Sequence, residues 1–537
     1  MLQNIEKPSQ RLIIKVLLFS TFVISICGLT YELLIGSLST NLEGNPILQY
    51  SLTIGFFMSA LGLGSYLSRF FIHRLLYQFI IIEIVLGVIG GISIAVLNLV
   101  YINLNSIYPI ANILVLVIIG ILVGLEIPII TRILKDFGNL KETISNVLTI
   151  DYIGGLAASL IFPLVLYPFL GLIKTAFIVG FINVIIGIIN LIIFSDEIKK
   201  EKIAIWLASI LSLMVLGSGI IFSNLLTGYY SYQLYAALNP TQLYGTVLYN
   251  EQSRYQKIVL TRYLGETQLL LNGHLQFSSF DEYRYHEALI FPPFMLKDDL
   301  KTILIMGGGD GLGVKQILKF SPYHNLNVIL VDLDPQMTQL AKTFPIMKEI
   351  NDNAFNNPSV TIINQDAYKY LGSTNLKFDV IYADFPDPHD ATLSKLYSME
   401  FFHFVKRRLN KNGMFITQAT SPLHSRLTFW CIGKTLKTVF KTVIPYHVNV
   451  PTMGGDWGFF LASDENLNIK DILEKKSDKT SMRLKEINSK FFSKNIFFSS
   501  LIFPNDSKLM KNEEVKVNHF SEPIIYQYLL KGWKYNS

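Results

Sequence analysis

Six aspartates carry the chemistry that this chain is equipped to do. Asp310 lies inside the glycine-rich run Ile303 to Gly313 (ILIMGGGDGLG), Asp332, Asp366 and Asp384 each follow a short apolar run, and Asp387 and Asp390 come next in DVIYADFPDPHDATLSKLYS. Ile303 to Met306 is β-branched enough for a buried parallel strand. Gly307, Gly308 and Gly309 after it predict a strand-to-helix turn where the backbone approaches a ligand closely and helix-start N–H groups face it. A second strand, Asn327 to Val331, ends at Asp332, at the separation where a doubly wound fold sets an acid on a ribose. A carboxylate inside a loop otherwise suited to phosphate repels phosphate, so Asp310 predicts a cationic ligand. In an irregular loop closed by Pro386 and Pro388, Asp384, Asp387 and Asp390 are expected to point into one crevice and hold a polyamine cation.

Positioning those acids requires a sheet. Strands expected at Val360 to Ile363, Phe378 to Tyr382 and Met414 to Gln418, with a helix near Pro335 to Lys342, alternate in the way of an α/β Rossmann-like, methyltransferase-type domain. Its ligands lie beyond the carboxyl ends of the strands. Upstream, from about Asn239, strands at Tyr244 to Asn250, Tyr255 to Tyr263 and Gln268 to Leu271 are followed by a hairpin turn at Asn272-Gly273 and a strand from His274 to Phe277. These predict a small antiparallel β domain. Between the two lies FDEYRYHEALIFPPFM, a helix carrying Tyr285, His286 and Glu287. Beyond Ser463 come a Lys-rich helix from Ile469 to Lys490 with a solvated charged face, a Phe-rich segment, and Ser521 to Leu530. The domain boundaries drawn are 1–230, 231–280 and 281–537, the last with a C-terminal extension.

The first of these is an α-helical transmembrane bundle. Of 537 residues, 50% are hydrophobic and only 16% charged, and the excess of apolar residues collects before about residue 226. Apolar runs at 13–38, 47–70, 76–102, 110–131, 147–171, 173–194 and 202–226 are long enough for about seven membrane helices. Lys7, Arg11 and Lys15 precede the first run; Arg69 and Arg74 follow the second; Arg132, Lys135 and Lys141 follow the fourth; Lys199, Lys200 and Lys202 follow the sixth. By the positive-inside bias the N-terminus is cytoplasmic. An odd number of crossings then puts the C-terminal domain outside, whereas ligands made in the cytosol would put it inside. With Asp151, Gly154, Gly155, Pro163 and Pro168, run 147–171 is the best candidate for a re-entrant segment, which leaves six full crossings and a cytosolic catalytic domain. Glu32, Glu83, Glu126 and Asp151 are expected to face the bundle interior, and Gly62, Gly64, Gly154 and Gly155 to serve close helix packing. The formal charge of +6 is scattered, so nucleic acid is excluded as a partner and membrane lipid is expected instead. Cys27 and Cys431 are isolated and give neither a disulfide framework nor a metal spacing.

Across about residues 240 to 460 the sequence resembles the spermidine synthase family, the polyamine aminopropyltransferases. The resemblance rests on GGGDG at Gly307 to Gly311, on Asp332, on the Asp366-Ala367 step and on Asp384 to Pro388, in that order, preceded by SRYQKIVL, NGHLQF and DEYRYHE. The N-terminal bundle is similar to that of the long, membrane-fused bacterial members. What this implies is transfer of a 3-aminopropyl group from decarboxylated S-adenosylmethionine to an amine, typically putrescine, giving spermidine and 5′-methylthioadenosine. The donor is then a co-substrate, no metal or cofactor is needed, and a homodimer is expected.

The implied roles are specific. Gly307, Gly309, Asp332, Asp366 and Ala367 hold the nucleoside, with Asp332 on the ribose hydroxyls and Asp366 on the adenine amino group, and Gln256 reaches it from the β domain. Asp310 pairs with the aminopropyl ammonium, Asp384 orients the acceptor amine and takes its proton with Tyr285 assisting, Asp387 anchors the far ammonium, and His286 lines the substrate pocket. Met453 stands where a tyrosine is common in the family, Leu312 where glycine is frequent, and His286 where some members have glutamine. These departures bear on the acceptor amine. Two other classes are weighed: an S-adenosylmethionine-dependent methyltransferase, which needs only the glycine loop and Asp332, and a membrane polyamine transporter or sensor that uses Glu32 and Glu126 and has a non-catalytic binding domain.

Overall fold

Among the described residues, seven long helices that are apolar on every side make up the N-terminal unit. They are α1 (Gln10–Glu43), α2 (Pro46–Leu67), α3 (Leu75–Asn103), α4 (Tyr108–Lys135), α5 (Leu140–Ile161), α6 (Tyr167–Ile193) and α7 (Lys202–Leu238). The computed structural model describes residues 10–43, 46–135, 139–194, 198, 201–238, 246–509 and 514–532, and the chain divides into two units, 1–244 and 245–537. Within the first, Leu17, Phe79 and Leu216 are fully buried while Phe169, Ile203 and Ile221 are 78%, 76% and 76% exposed. Helices of this kind match apolar surroundings outside as well as inside.

Six helical stretches among the described residues are long and apolar enough to cross a membrane, and one of them, 141–193, has 53 residues. As one straight helix it would be about 80 Å long against a hydrocarbon core of about 30 Å. It is not straight: a wide π-type turn at 162–166 holds Pro163, and the backbone leaves helical geometry at Gly171 (φ 70°, ψ −179°). Ser25 Oγ donates to Asp151 O at 2.6 Å and Asn41 donates to Tyr167 Oη at 3.5 Å, so the chain through α5 to Tyr167 runs parallel to α1. After Gly171, Cys27 Sγ donates to Val179 O at 3.9 Å and Asn190 Nδ2 to Ser20 Oγ at 2.9 Å, so α6 runs antiparallel to α1. Run 147–171 therefore lies alongside α1, and the chain reverses at its last residue, Gly171. The same antiparallel and parallel pairings gather the basic helix ends together. Arg132 donates to Phe71 O and Ser68 O at 3.0 and 2.8 Å, and Arg74 pairs with Glu201 at 2.5 Å.

Close helix crossings depend on small residues. A Cβ on Gly87, Gly180, Gly64 or Gly124 would lie 2.7, 2.3, 2.2 or 2.3 Å from a carbonyl oxygen of the facing helix. Gly154 packs on Phe22 in the same way, whereas Gly62 faces open space and Gly155 makes only ordinary contacts. Glu32, Glu83 and Glu126 are buried and Asp151 is half-buried, as interior-facing acids should be.

The second unit opens with an antiparallel sheet, β1 (Thr246–Gln252), β2 (Lys257–Tyr263), β3 (Glu266–Leu271) and β4 (His274–Ser278), paired in sequence order. Asn272 and Gly273, both at positive φ (50° and 85°), make the expected hairpin turn. Helix α8 (Glu282–Leu296) leads into β5 (Thr302–Gly307), α9 (Leu312–Leu318), β6 (Asn327–Asp332), α10 (Pro335–Thr343), α11 (Pro345–Ile350), β7 (Val360–Asn364), α12 (Ala367–Ser373) and β8 (Phe378–Asp384). Then come α13 (Ala391–Ser394), α14 (Met399–Arg408), β9 (Leu409–Gln418), α15 (Arg426–Lys437), β10 (Thr442–Val450) and β11 (Gly455–Ser463). The sheet order is β10-β11-β9-β8-β5-β6-β7, with β5 to β9 parallel and the β10–β11 hairpin antiparallel at one edge. The strand order reverses between β5 and β8, and the crevice at their carboxyl ends is where such a sheet binds ligands.

The C-terminal extension holds α16 (Ile469–Lys475), α17 (Ser477–Glu486), α18 (Lys494–Ser500) and α19 (Ile524–Gly532), so the single helix expected over 469–490 is two. Glu287 ties it down. Fully buried, its carboxylate accepts Ser489 Oγ and the N–H groups of Lys490, Phe491 and Phe492 at 2.9, 2.9, 2.9 and 2.8 Å. Glu287→Ala removes the acceptor of three backbone N–H groups, one of them on buried Phe492, and is expected to destabilise this unit by about 3 kcal/mol. Denaturant unfolding of the variant checks this, and an unchanged midpoint would contradict the anchoring role.

Candidate active site

The turn after β5 is forced into shape by what lies beside it. Gly307 and Gly308 adopt φ of 78° and 66°, and a Cβ on Gly307 would stand 2.1 Å from Asp384 O, while one on Gly309 would stand 2.7 Å from an Asp332 carboxylate oxygen. Only glycine fits between two acid-bearing strand ends. Gly309 N–H donates to Asp332 Oδ2 at 3.0 Å and Asp334 N–H to Oδ1 at 2.8 Å, which fixes the Asp332 carboxylate across the turn. Asp310 Oδ1 accepts the Leu312 N–H at 2.9 Å.

Asp384, at the end of β8, accepts the Tyr285 hydroxyl on Oδ1 at 2.6 Å, and its other oxygen lies 3.1 Å from the Cβ position of Gly308. Tyr285 is within reach of the charge of both Asp384 and Asp387. Asp387 is held by Gln418 Nε2 at 3.3 Å, and that amide also donates to Phe385 O at 2.7 Å and Tyr397 Oη at 2.6 Å. Asp310 and Asp384 thus lie around His286, and Asp384 and Asp387 around Tyr285.

Crowding of buried like charges sets the electrostatics. Burial pushes Asp332 up to about 7, with Asp334 and Asp310 adding to it through charge. Burial also pushes Asp310 up to about 6, opposed by His286 and reinforced by Asp384, and Asp387 up to about 6, opposed by Gln418. Asp384 is raised by burial and drawn back by His286 and the Tyr285 hydrogen bond. His286 goes the other way: burial works against its charge, yet Glu282, Asp310 and Asp384 hold it at about 9. Its Nδ1 lies 2.8 Å from Glu282 O and 3.2 Å from Glu282 Oε2, and Lys315 pairs with the other Glu282 oxygen at 3.0 Å. The crevice therefore contains one fixed imidazolium facing several acids and has room for more positive charge.

The remaining expected residues lie around this centre. Gln256 Nε2 donates to Asp334 Oδ2 at 3.0 Å, on the same oxygen that takes Ser253 Oγ at 2.6 Å, so it reaches the loop that fixes Asp332. Asp366 and Ala367 stand at the end of β7, but the Asp366 carboxylate is already engaged. One oxygen caps α12 through Tyr368 N–H and Lys369 N–H at 2.8 and 3.2 Å, and the other pairs with Lys395 at 2.8 Å. Asp390, expected in the crevice, instead caps α13 by accepting Leu393 N–H at 2.6 Å.

Sequence reasoning missed Lys395, Gln418 and Trp457. Trp457 on β11 has its ring centroid 6.4 Å from that of Tyr285, with a buried Nε1–H that has no partner. Gln418 had a legible signal, being a polar residue that ends an apolar strand at the ligand side of the sheet. Lys395 had none, because its partner is brought to it by the fold alone.

The sequence profile of the spermine/spermidine synthase domain matches residues 282–471. Polyamine aminopropyltransferase of Leptospira interrogans is 38% identical over 96% of this chain and 98% of its own length. Polyamine aminopropyltransferase of Oceanobacillus iheyensis is 33% identical over 97% and 98%. Both alignments run through the helical unit. In shape, 48% of the chain overlays 86% of a spermidine synthase crystallised with the transition-state analogue AdoDATO, at 25% identity and a TM-score of 0.44.

Carboxyls raised on folding lend stability at low pH that is lost as pH rises through the folded values of about 6 to 7. Asp310→Asn, which keeps the Leu312 contact, should therefore stabilise the ligand-free protein by about 1–2 kcal/mol above neutrality and by nothing near the unfolded aspartate value of about 4. Thermal melts across pH check this, and a destabilised variant at high pH would contradict it.

Proposed function

The chain belongs to the polyamine aminopropyltransferase family and transfers an aminopropyl group from decarboxylated S-adenosylmethionine to an amine, and from that premise we propose that the acceptor is putrescine and that Asp384 takes its proton. The donor is a co-substrate of the reaction, and the displacement requires no cofactor. The acceptor nitrogen attacks the methylene next to the sulfonium, a C–N bond forms as the C–S bond breaks, and 5′-methylthioadenosine leaves with the electron pair. The nitrogen must shed a proton, and a primary amine near lysine's value of about 10 is mostly protonated at neutrality. Asp384 is the acceptor: burial raises its basicity, and the Tyr285 hydroxyl fixes the orientation of its carboxylate.

The observation that carries this reading is the grouping of Asp310, Asp384 and Asp387 around Tyr285 and His286, with Asp384 accepting the Tyr285 hydroxyl at 2.6 Å and Asp387 accepting the Gln418 amide at 3.3 Å. Asp310 meets the aminopropyl ammonium, Asp384 the reacting nitrogen and Asp387 the far ammonium of a diamine. Asp332 takes the ribose hydroxyls beside Gly307 and Gly309, Gln256 supports that loop through Asp334, and Asp366 with Ala367 borders the adenine. Ordinary S-adenosylmethionine would present a carboxylate to Asp310 and be repelled, which disfavours a methyltransferase.

The helical unit crosses a bilayer seven times. With Gly171 as a reversal, the ends carrying Arg11 and Lys15, Arg69 and Arg74, Arg132 and Lys141, and Lys202 face the cytoplasm together, as the positive-inside bias requires. The chain then leaves α7 on the outer side. The expectation of a cytosolic catalytic unit rests on substrates made in the cytosol and on a re-entrant 147–171; with α5 and α6 both counted as crossings, the basic helix ends favour the outside, and we propose that side. Leu264→Cys, at an 84% exposed hairpin tip in a protein whose own Cys27 and Cys431 are buried, reports the side. Labelling by an impermeant maleimide in intact cells is expected; labelling only after lysis would overturn the orientation.

Asp384→Asn should lower kcat by at least about 100-fold while leaving donor affinity within a few fold, because it removes proton acceptance and no nucleoside contact. Production of 5′-methylthioadenosine from decarboxylated S-adenosylmethionine and putrescine is the assay. Loss of donor binding in parallel with turnover would refute the role of Asp384, and no product with the unaltered protein would refute putrescine as acceptor.

A further inference from the structure

Inside the helical unit, Glu83 of α3 and Glu126 of α4 are 0% and 2% exposed. Each lies within reach of the other's charge. Among the described residues, no hydrogen-bond partner reaches either oxygen of Glu83 or one oxygen of Glu126. Two more fully buried polar side chains in this interior lack partners: the Tyr31 hydroxyl of α1 and both amide atoms of Asn183 of α6. Tyr31 and the Cys27 thiol lie within reach of the charge of both glutamates, and Asp151 of α5 within reach of Glu126. Asn183 sits against Gly87, one turn along α3 from Glu83. The titratable groups facing the pair are thus acids, a thiol and a phenol. The described basic side chains of the bundle cluster at its ends, as in the Arg74–Glu201 pair.

A buried charge without a partner costs several kcal/mol, and two adjacent carboxylates in hydrocarbon cost more than either alone. Packing alone would be served by two apolar residues. What two unpartnered polar side chains around a buried carboxyl pair suit is a small positive charge that comes and goes. We propose that Glu83 and Glu126, with Tyr31 and Asn183, form a proton-binding site in the core of the membrane unit, holding one exchangeable proton between the two carboxyls. This rests on the membrane reading of the helices. It is independent of the aminopropyl transfer, since it uses none of that site's residues.

Dicyclohexylcarbodiimide, an apolar reagent, reacts with protonated carboxyls in apolar surroundings and marks such a site. The full-length protein in native membranes is treated near neutral pH and the adducts are located by peptide mass spectrometry. The expected result is an adduct on Glu83 or Glu126 that declines as pH rises and falls to background in the Glu83→Gln, Glu126→Gln double variant. Absence of an adduct on either residue, while aminopropyl transfer shows the protein to be intact, would overturn the proposal. Protection by excess Na⁺ would also overturn it, by showing a sodium site. Recovery of the protein in carbonate-washed membranes reports the membrane reading separately, so failure of that reading is distinguishable from failure of the proton site.

Discussion

Repulsion among buried carboxylates governs this protein's second unit. The sheet order places β5 between β6 and β8 and so brings Asp310, Asp332 and Asp384 to one end of the sheet; burial pushes each upward, neighbouring acids add to this at Asp310 and Asp332, and His286 and Tyr285 draw Asp384 back. A single imidazolium, His286, held by Glu282, which Lys315 also pairs, offsets part of this repulsion. The strain is electrostatic and is relieved by cations, which is why a sulfonium donor with a free ammonium, and an amine acceptor, fit the site. A fold that stores unfavourable charge at its active site gives up stability for selectivity, and the rest of the unit offsets that loss. Glu287 pins the C-terminal extension, and β10–β11 closes the sheet edge.

The same charges separate the readings. A methyltransferase accounts for the glycine loop and Asp332 but leaves Asp310 facing the donor's carboxylate and gives Asp384 and Asp387 nothing to hold. A binding module without catalysis leaves the 2.6 Å Tyr285–Asp384 contact unused. Aminopropyl transfer uses all of them. The helical unit carries its own buried acids, and their arrangement follows another logic, that of polar groups kept inside an apolar bundle.

Much of this was legible because strand-end acids follow apolar runs: Ile303 to Met306, Asn327 to Val331 and Phe378 to Tyr382 are buried on both faces and read as such. The β10–β11 hairpin was not, since His447, Asn449 and Asp456 interrupt its apolar pattern and glycines surround Trp457. Asp390 shares the spacing of Asp384 and Asp387, yet the chain turns into α13 there and the side chain serves as a cap. Spacing identifies candidates; only the backbone direction says which face the ligand. The prolines and glycines of 147–171 suggested a turn within the membrane, whereas the structure accommodates Pro163 in a wide helical turn and confines the reversal to Gly171. The pairing of Asp366 with Lys395, and of Asp387 with Gln418, depends on tertiary contacts that no local pattern encodes.

Selection of a positively charged donor by Asp310 is the claim from which the substrate assignment follows, and calorimetric titration of the full-length protein tests it most directly. Decarboxylated S-adenosylmethionine, S-adenosylmethionine and 5′-methylthioadenosine share the nucleoside and differ in what they present to Asp310: an ammonium, an ammonium with a carboxylate, and neither. The account predicts that the decarboxylated donor binds most tightly and loses about 1.5–3 kcal/mol in Asp310→Ala while 5′-methylthioadenosine is barely affected. Equal affinities for the two S-adenosyl compounds, or equal losses for donor and 5′-methylthioadenosine, would contradict it.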